Sequence, residues 1–283
     1  MKNELTQLLV CPKCQHSFSV QSDTLKCENC GFTARMAEGI PLFTDVPATI
    51  EPWEKVERGP EKGTAWRRSN WKFLNSEVQA LPQDALILDV GAGHGDFADI
   101  FEGRRYYSLD IVPYAEVDLV CDLGQTIPFK PETFDVVVLM NVLEHVYECR
   151  RLVQNISKIL KPGGKVIITV PFLLKVHQAP FDFSRYTPYF LENMAADAGL
   201  AVSSMKGYYD TLYLLNESLG NLWQYSLKGL SGTKTTLGKG LVFVIQKLIN
   251  WLGSISEKGK IKPVNEEENP APVGYLVVLE KKA

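Results

Sequence analysis

No run of about 20 consecutive apolar residues occurs in the chain, so no segment reads as a bilayer-spanning helix. The N-terminus, Met1-Lys2-Asn3-Glu4-Leu5, lacks the apolar core and small-residue cleavage site of a secretory signal. The expectation is a cytoplasmic protein. There is no excess of positive charge either. Thirty Lys and Arg stand against 33 Asp and Glu, a net −3, which excludes a generic polyanion binder but leaves room for a local basic face. Histidine is scarce, at four residues, so few imidazoles are available for proton transfer. Of only six cysteines, four fall in one short N-terminal cluster, which argues for a reducing compartment rather than a disulfide scaffold. What is present is ordinary for a globular protein: 45% hydrophobic and 22% charged residues over 283 positions, enough for one large or two small domains. No internal repeat is visible.

The cysteine cluster is Cys11-Pro12-Lys13-Cys14 and Cys27-Glu28-Asn29-Cys30-Gly31, two C-x2-C knuckles twelve residues apart. Each knuckle offers two thiolates from one tight turn, which suits tetrahedral zinc. Two disulfides or four free thiols are the alternatives. A four-cysteine site has no open coordination position, so its zinc is structural. Some forty residues bury little core, which motivates a metal staple. Phe18 and Val20 alternate with Ser17 and Ser19 as one strand of a hairpin. The stretch from Leu8-Leu9-Val10-Cys11-Pro12 to Glu38-Gly39-Ile40-Pro41-Leu42-Phe43 resembles the small zinc domain of the activator subunit of tRNA methyltransferases. That resemblance implies a ribbon fold, not a substrate.

The chain divides into a ribbon (1–45), a linker and leading helix (46–80) and a main domain (81–283). Thr44 to Pro60 is rich in Pro, Glu and Gly and reads as the linker. Trp66, Phe73, Leu74 and Val78 are helix-spaced, with Arg67, Arg68 and Lys72 between them. Strands are expected at Ala85–Val90, Tyr106–Ile111, Val117–Asp122, Phe134–Met140, Lys165–Val170, Ala201–Gly207 and Tyr275–Glu280. Helices are expected at Arg150–Leu160 and Pro188–Ala198. Alternating helices and β-branched apolar strands predict a doubly wound, mostly parallel α/β sheet of seven strands, Rossmann-like. Residues 208–262 interrupt the alternation with a helical insertion. Leu212, Leu215, Leu219, Leu222 and Trp223 are helix-spaced there, and Leu241–Leu252 is a second apolar run. Over 206–262 eight lysines meet three acids. The insertion is read as a cap over the active site, or alternatively as a dock on anionic membrane.

The chemistry centres on Asp89-Val90-Gly91-Ala92-Gly93-His94-Gly95, which follows the apolar run Ala85–Leu88 and opens a helix in the expected fold. Glycines let backbone approach a ligand closely. A dinucleotide fingerprint, G-x-G-x-x-G, would need a third glycine where Asp96 stands. Asp110 ends the second strand, where an acid can grip ribose hydroxyls. Cys121-Asp122-Leu123 ends the third, and Asn141-Val142-Leu143-Glu144-His145 the fourth. Leu160-Lys161-Pro162-Gly163-Gly164-Lys165 reads as the turn into the fifth. Ligands bind beyond such strand ends.

From Leu86 to Leu200 this ordered set resembles the UbiE/type-11 group of class I S-adenosylmethionine (SAM)-dependent methyltransferases. The resemblance implies a SAM site built from Asp89, Gly91, Ala92, Gly93, Gly95, Asp110, Ile111, Asp122, Leu123 and Asn141. In it Asp89 stabilises the glycine loop, Asp110 binds ribose, Asp122 meets adenine and Asn141 lies against the methionine moiety. A P-loop reading of Gly232–Gly240 fails, because five residues separate its first two glycines where four are needed.

After the fifth strand, Pro171 to Pro188 gathers His177, Asp182, Arg185, Tyr186 and several aromatics in one loop. Pro180-Phe181-Asp182-Phe183-Ser184-Arg185-Tyr186-Thr187 resembles the P-x-D-[FW]-x-R-[FY]-T loop of type-11 methyltransferases, some encoded beside glycan or lipid biosynthesis genes. Asp182, Arg185 and Tyr186 are therefore candidate acceptor contacts. Alternatively Asp182 and Arg185 pair on one turn while Tyr186 fills the core. Thr187-Pro188 caps the next helix. His177 is the candidate base for a hydroxyl acceptor, with His145 as the other choice.

The expected function is methyl transfer from SAM to a small-molecule, glycan or lipid-linked acceptor at oxygen. Two alternatives stand: an RNA methyltransferase gripping RNA through the ribbon, and a non-catalytic partner-binding protein. Against RNA, Ser17–Gly31 holds Lys26 as its one base beside Asp23 and Glu28. The fourth-strand loop also lacks an N/D-P-P-Y/F motif.

Overall fold

The computed structural model describes residues 4–45, 57–208, 211–221, 233–257 and 272–283. Most of the expected linker, and residues 209–210, 222–232 (with Leu222 and Trp223) and 258–262 of the insertion, together with 263–271, lie outside them. The N-terminal segment forms a one-turn helix α1 (Leu5–Leu8) and an antiparallel ladder of β1 (Phe18–Gln21), β2 (Thr24–Cys27), β3 (Thr33–Ala37) and β4 (Ile40–Leu42). Phe18 pairs with Cys27 in register, so the second knuckle grows directly out of the hairpin.

The long helix α2 (Ala65–Gln79) starts where the Thr64 side chain accepts from the Arg67 amide. It buries Leu74 and Val78 against Ile87, Ile100, Val136 and Ile167. Each such side chain contributes about 1.5–3 kcal/mol by leaving water. The remaining strands are β5 (Leu86–Val90), β6 (Arg105–Asp110), β7 (Leu119–Val120), β8 (Phe134–Met140), β9 (Leu160–Pro171), β10 (Leu200–Tyr208) and β11 (Gly274–Lys281). Helices α3 (Cys149–Ile159) and α4 (Pro188–Asp197) lie between them in sequence. Thr187 caps α4 by accepting from the Phe190 amide, with Pro188 in the first turn, as expected.

The order across the sheet is β7-β6-β5-β8-β9-β11-β10, with the β7-β6-β5-β8-β9 run parallel. The order reverses beside β5. The crevice at that reversal is where doubly wound sheets take ligands.

Three local expectations are corrected. The glycine loop opens no α-helix. It leads into a four-residue 3-10 helix, Ala98–Phe101, because Gly95 and Gly103 (φ 68° and 75°) bound too short a segment for longer helix. The third strand is cut to Leu119–Val120, since Asp118 turns its carboxylate onto the Ser108 amide. Lys161–Gly164 is not a free turn but a bulge inside β9. Phe134 pairs with Leu160 and Val136 with Lys165, and Gly163 (φ 74°) takes the bend. The N-terminal ladder joins the main sheet: Leu42 pairs in parallel with Val120, the Phe43 amide donates to the Val120 carbonyl at 2.8 Å, and the eleven strands form one continuous sheet.

The chain divides into two compact units, 1–170 with 176–204 and 276–283, and 171–175 with 205–275. In the second unit α5 (Thr211–Asn221) packs on α6 (Thr233–Glu257). Helix α6 buries Val242 and Ile249 while Leu241, Phe243, Val244, Leu248 and Trp251 are exposed. Among the described residues no helix is long and apolar enough to cross a membrane.

Candidate functional site

The three loop glycines do different work. All have positive φ: 74° at Gly91, 54° at Gly93 and 68° at Gly95. A Cβ on Gly91 would stand 2.5 Å from a Val142 methyl, so this glycine lets the loop cross the end of β8. A Cβ on Gly93 would meet nothing within 4 Å, so this glycine leaves the loop's outer face open. The Gly91 and Ala92 amides both donate to the Leu109 carbonyl, at 2.8 and 3.1 Å.

Asp110, at the end of β6, is the loop's clamp. Its Oδ2 accepts from the Gly93 amide and its Oδ1 from the Val112 amide, both at 2.9 Å. Burial raises its pKa, with these amides opposing. Asp89 was expected to steady the loop. Instead it lies buried inside β5, its Oδ2 accepting from the Tyr106 hydroxyl at 3.1 Å. Burial pushes its carboxyl up to about 7. The side chain of a mid-strand residue projects into the core, and Asp110 at the strand end has the reach that Asp89 lacks. Asp122 makes a local turn, Oδ1 accepting from the Gly124 amide at 2.8 Å. Ala92 and Leu123 are buried and Ile111 half-buried, as apolar walls beside these carboxylates.

Asn141 has φ 57°, left-handed backbone at the carboxyl end of β8. Asn tolerates this conformation better than most residues, and such outliers concentrate at functional sites. Its amide donates to the Thr169 carbonyl at 3.0 Å, and its Oδ1 accepts from the Thr169 hydroxyl at 3.1 Å.

Several supporting residues were not singled out from the sequence. Arg67 of α2 is buried and donates to the carbonyls of Gly59, Lys62 and Asp96, stacking over Phe97. Arg58 donates to the His94 carbonyl at 2.9 Å, and Glu116 lies 3.5 Å from His94 Nδ1. The signal for Arg67 was a basic residue three places after a Thr cap. It gave a helix position but no partner.

The loop after β9 resolves into a compact polar knot. Arg185 donates to both Asp182 oxygens, at 2.5 and 2.8 Å, and the His177 amide donates to Asp182 Oδ2 at 2.8 Å. The Arg185 guanidinium holds the Asp182 carboxyl down at about 2. His177 Nδ1 lies 3.2 Å from the same carboxylate. His145 Nδ1 sits 2.6 Å from the Phe181 carbonyl, and burial lowers the pKa of its ring. The two imidazoles meet edge to face, 4.9 Å apart. Tyr186 does not present itself to an acceptor. It is 1% exposed and donates its hydroxyl to the Leu143 carbonyl at 2.6 Å, so it pins this loop to the end of β8. Asp182, 2% exposed at its side chain, is likewise spent on Arg185 and His177. Of the expected acceptor contacts, His177 and Arg185 keep partial exposure. Glu144 had no role in the sequence reading. It is fully buried, and burial pushes its carboxyl up to about 8.

The four N-terminal thiols converge, all within 4.8 Å of one another. Cys11 and Cys30 sulfurs are 3.6 Å apart, those of Cys14 and Cys27 3.4 Å. Zinc–sulfur bonds of about 2.3 Å at tetrahedral angles need sulfurs about 3.8 Å apart, so the cluster fits such an ion.

A family model described as a methyltransferase domain matches residues 65–205. The tRNA (carboxymethyluridine(34)-5-O)-methyltransferase of Arabidopsis thaliana is 28% identical over 115 residues, 37% of this chain and 28% of that one. An uncharacterised methyltransferase of Mycobacterium leprae is 32% identical over 104 residues, 32% of this chain and 38% of that one. The chain thus spans well under half the length of both relatives. Among solved structures, the 1,6-didemethyltoxoflavin-N1-methyltransferase of Burkholderia thailandensis, with S-adenosylhomocysteine bound, shares 15% identity at a TM-score of 0.47, over 77% of this chain and 79% of that one. Residues 65–205 thus match a methyltransferase domain.

Proposed function

We propose that the chain transfers a methyl group from SAM to an oxygen of a small-molecule, glycan or lipid-linked acceptor. The observation that carries the cofactor half is the convergence at the strand ends. The open Gly93 face, Asp110, Asp122 and Asn141 end β5, β6, β7 and β8 in turn, around the reversal of strand order. SAM supplies an activated methyl carbon on a sulfonium. The chain supplies the setting: backbone approach at Gly91–Gly95, carboxylates for the ribose and adenine at Asp110 and Asp122, and a fixed wall at Asn141. Displacement at carbon asks the protein chiefly for proximity and orientation. Proton handling falls to His177 and His145, with Asp182 behind the first and the Phe181 carbonyl behind the second.

The Arabidopsis relative supports tRNA as a second acceptor class. The ribbon argues against it, with Lys26 as the one base between Ser17 and Gly31. In the ribbon we place one structural zinc on Cys11, Cys14, Cys27 and Cys30.

Incubation of the full chain with isotope-labelled SAM and parallel small-molecule, lipid and tRNA extracts tests the reading. Mass spectrometry should find the label in a small-molecule or lipid fraction. His177→Ala should slow that transfer while S-adenosylhomocysteine binds as before, since the proposed role of His177 lies on the acceptor side. Label entering tRNA alone would replace this acceptor class, and no binding of S-adenosylhomocysteine would overturn the whole reading.

A further inference from the structure

Just beyond Asn141, three polar atoms are buried with no hydrogen-bond partner: both carboxyl oxygens of Glu144 and Nε2 of His145. The state of His145 follows from its other nitrogen. Nδ1 faces the Phe181 carbonyl at 2.6 Å, and a carbonyl only accepts, so Nδ1 carries the proton. In the neutral ring Nε2 then presents a bare lone pair, 3.7 Å from Glu144 Oε1. The imidazole lone pair and the Glu144 carboxyl therefore face one another away from water with no hydrogen bond to either. Buried polar atoms left unsatisfied are costly, and a bound ligand would satisfy them.

A nitrogen of His177 completes the group. One ligand atom from each of Glu144, His145 and His177 falls within a common span of 4.8 Å. Both imidazoles are braced from behind. His145 gives its Nδ1 proton to a backbone carbonyl, and His177 Nδ1 lies 3.2 Å from Asp182, itself locked by Arg185. A carbonyl or carboxylate behind each imidazole is the outer support that metal-ligating histidines use.

We propose that Glu144, His145 and His177 bind one divalent transition-metal ion, in a site separate from the four-cysteine cluster. Two imidazoles and one carboxylate suit zinc, iron(II), cobalt(II) or manganese(II), and leave coordination positions for water or an oxygen-bearing acceptor. Magnesium and calcium, which take oxygen ligands, fit this donor set poorly. What the ion serves rests on reading this end of the sheet as the acceptor side; its binding does not.

The test is metal stoichiometry on the full chain, stripped with chelator under reducing conditions and reloaded with cobalt(II). The expected result is two ions per chain. One should show the intense sulfur-to-cobalt absorption of a thiolate site, and the other only the weaker bands of nitrogen and oxygen ligands. Glu144→Gln and His177→Ala should each weaken the second ion by more than about tenfold and leave the thiolate absorption intact, while Cys27→Ser should do the reverse. His177 is partly exposed, so its variant decides the matter even where Glu144→Gln fails to fold. One ion per chain in the wild type, or a second ion held equally well by His177→Ala, would overturn the proposal. The count is independent of methyl transfer: loss of S-adenosylhomocysteine binding with two ions still present would strike at the cofactor reading alone.

Discussion

The Thr169 hydroxyl donates to Asn141 Oδ1 at 3.1 Å while the Asn141 amide returns to the Thr169 carbonyl at 3.0 Å. This double tie joins the ends of β8 and β9 and holds Asn141 in its left-handed conformation (φ 57°). Thr169 is fully buried, so its hydroxyl has no solvent alternative. Thr169→Val should remove the hydroxyl's bond to Asn141 Oδ1 and the one it accepts from the Asn141 amide, costing about 1 kcal/mol of stability or more, and loosen Asn141. Calorimetry should show weaker S-adenosylhomocysteine binding. Unchanged affinity would mean that Asn141 is not part of the cofactor wall.

The glycines separate folding from binding. Gly91→Ala drives a methyl into Val142 and should lower thermal stability, because an approach of 2.5 Å leaves no room. Gly93→Val has open space around its Cβ, so it should fold more nearly normally yet obstruct the cofactor. Asp110→Ala should weaken S-adenosylhomocysteine by roughly 1–3 kcal/mol, through the proposed ribose contact and the released Gly93 amide. Full-strength binding by both the Gly93 and Asp110 variants would place the site elsewhere.

Asp89 sets a pH dependence. Its folded pKa of about 7 lies above the usual carboxylate value, so between the two the native state holds a proton that the unfolded chain has released. Stability should therefore fall as pH rises from about 4 to 7, through this group. Asp89→Asn should flatten that part of the profile in denaturant titrations. A slope equally steep in the variant would assign it to other residues.

The ribbon should hold one zinc, released by Cys27→Ser. Elemental analysis checks the metal, and a disulfide between any two of the four cysteines in freshly prepared reduced-buffer protein would contradict it.

Periodicity located the seven main strands to within a few residues, because buried parallel strands are apolar along their whole length. Glycine spacing located the loop. The partners of the carboxylates were not legible. Whether Asp89 or Asp110 clamps the loop depends on which one stands at a strand end, and a one-residue difference in strand length decides it. Tyr186 illustrates the same limit. A tyrosine beside Asp and Arg reads as an acceptor contact, yet its ring is core and its hydroxyl closes on Leu143. Glu144 was hidden because an acid beside a histidine carries no periodic signal. Its isolation depends on the Phe181–Tyr186 loop, whose Phe183 amide donates to the Glu144 carbonyl.

The pairing of Leu42 with Val120 has a consequence for solubility. A parallel sheet that stopped at β7 would offer bare amides and carbonyls to any passing strand. Here the chain's own N-terminal segment occupies that place, as a built-in chaperone against self-association. A shortened chain lacking the first 45 residues is therefore expected to precipitate or form strand-paired aggregates, even though every proposed cofactor contact survives the cut. Light scattering during refolding would register the difference.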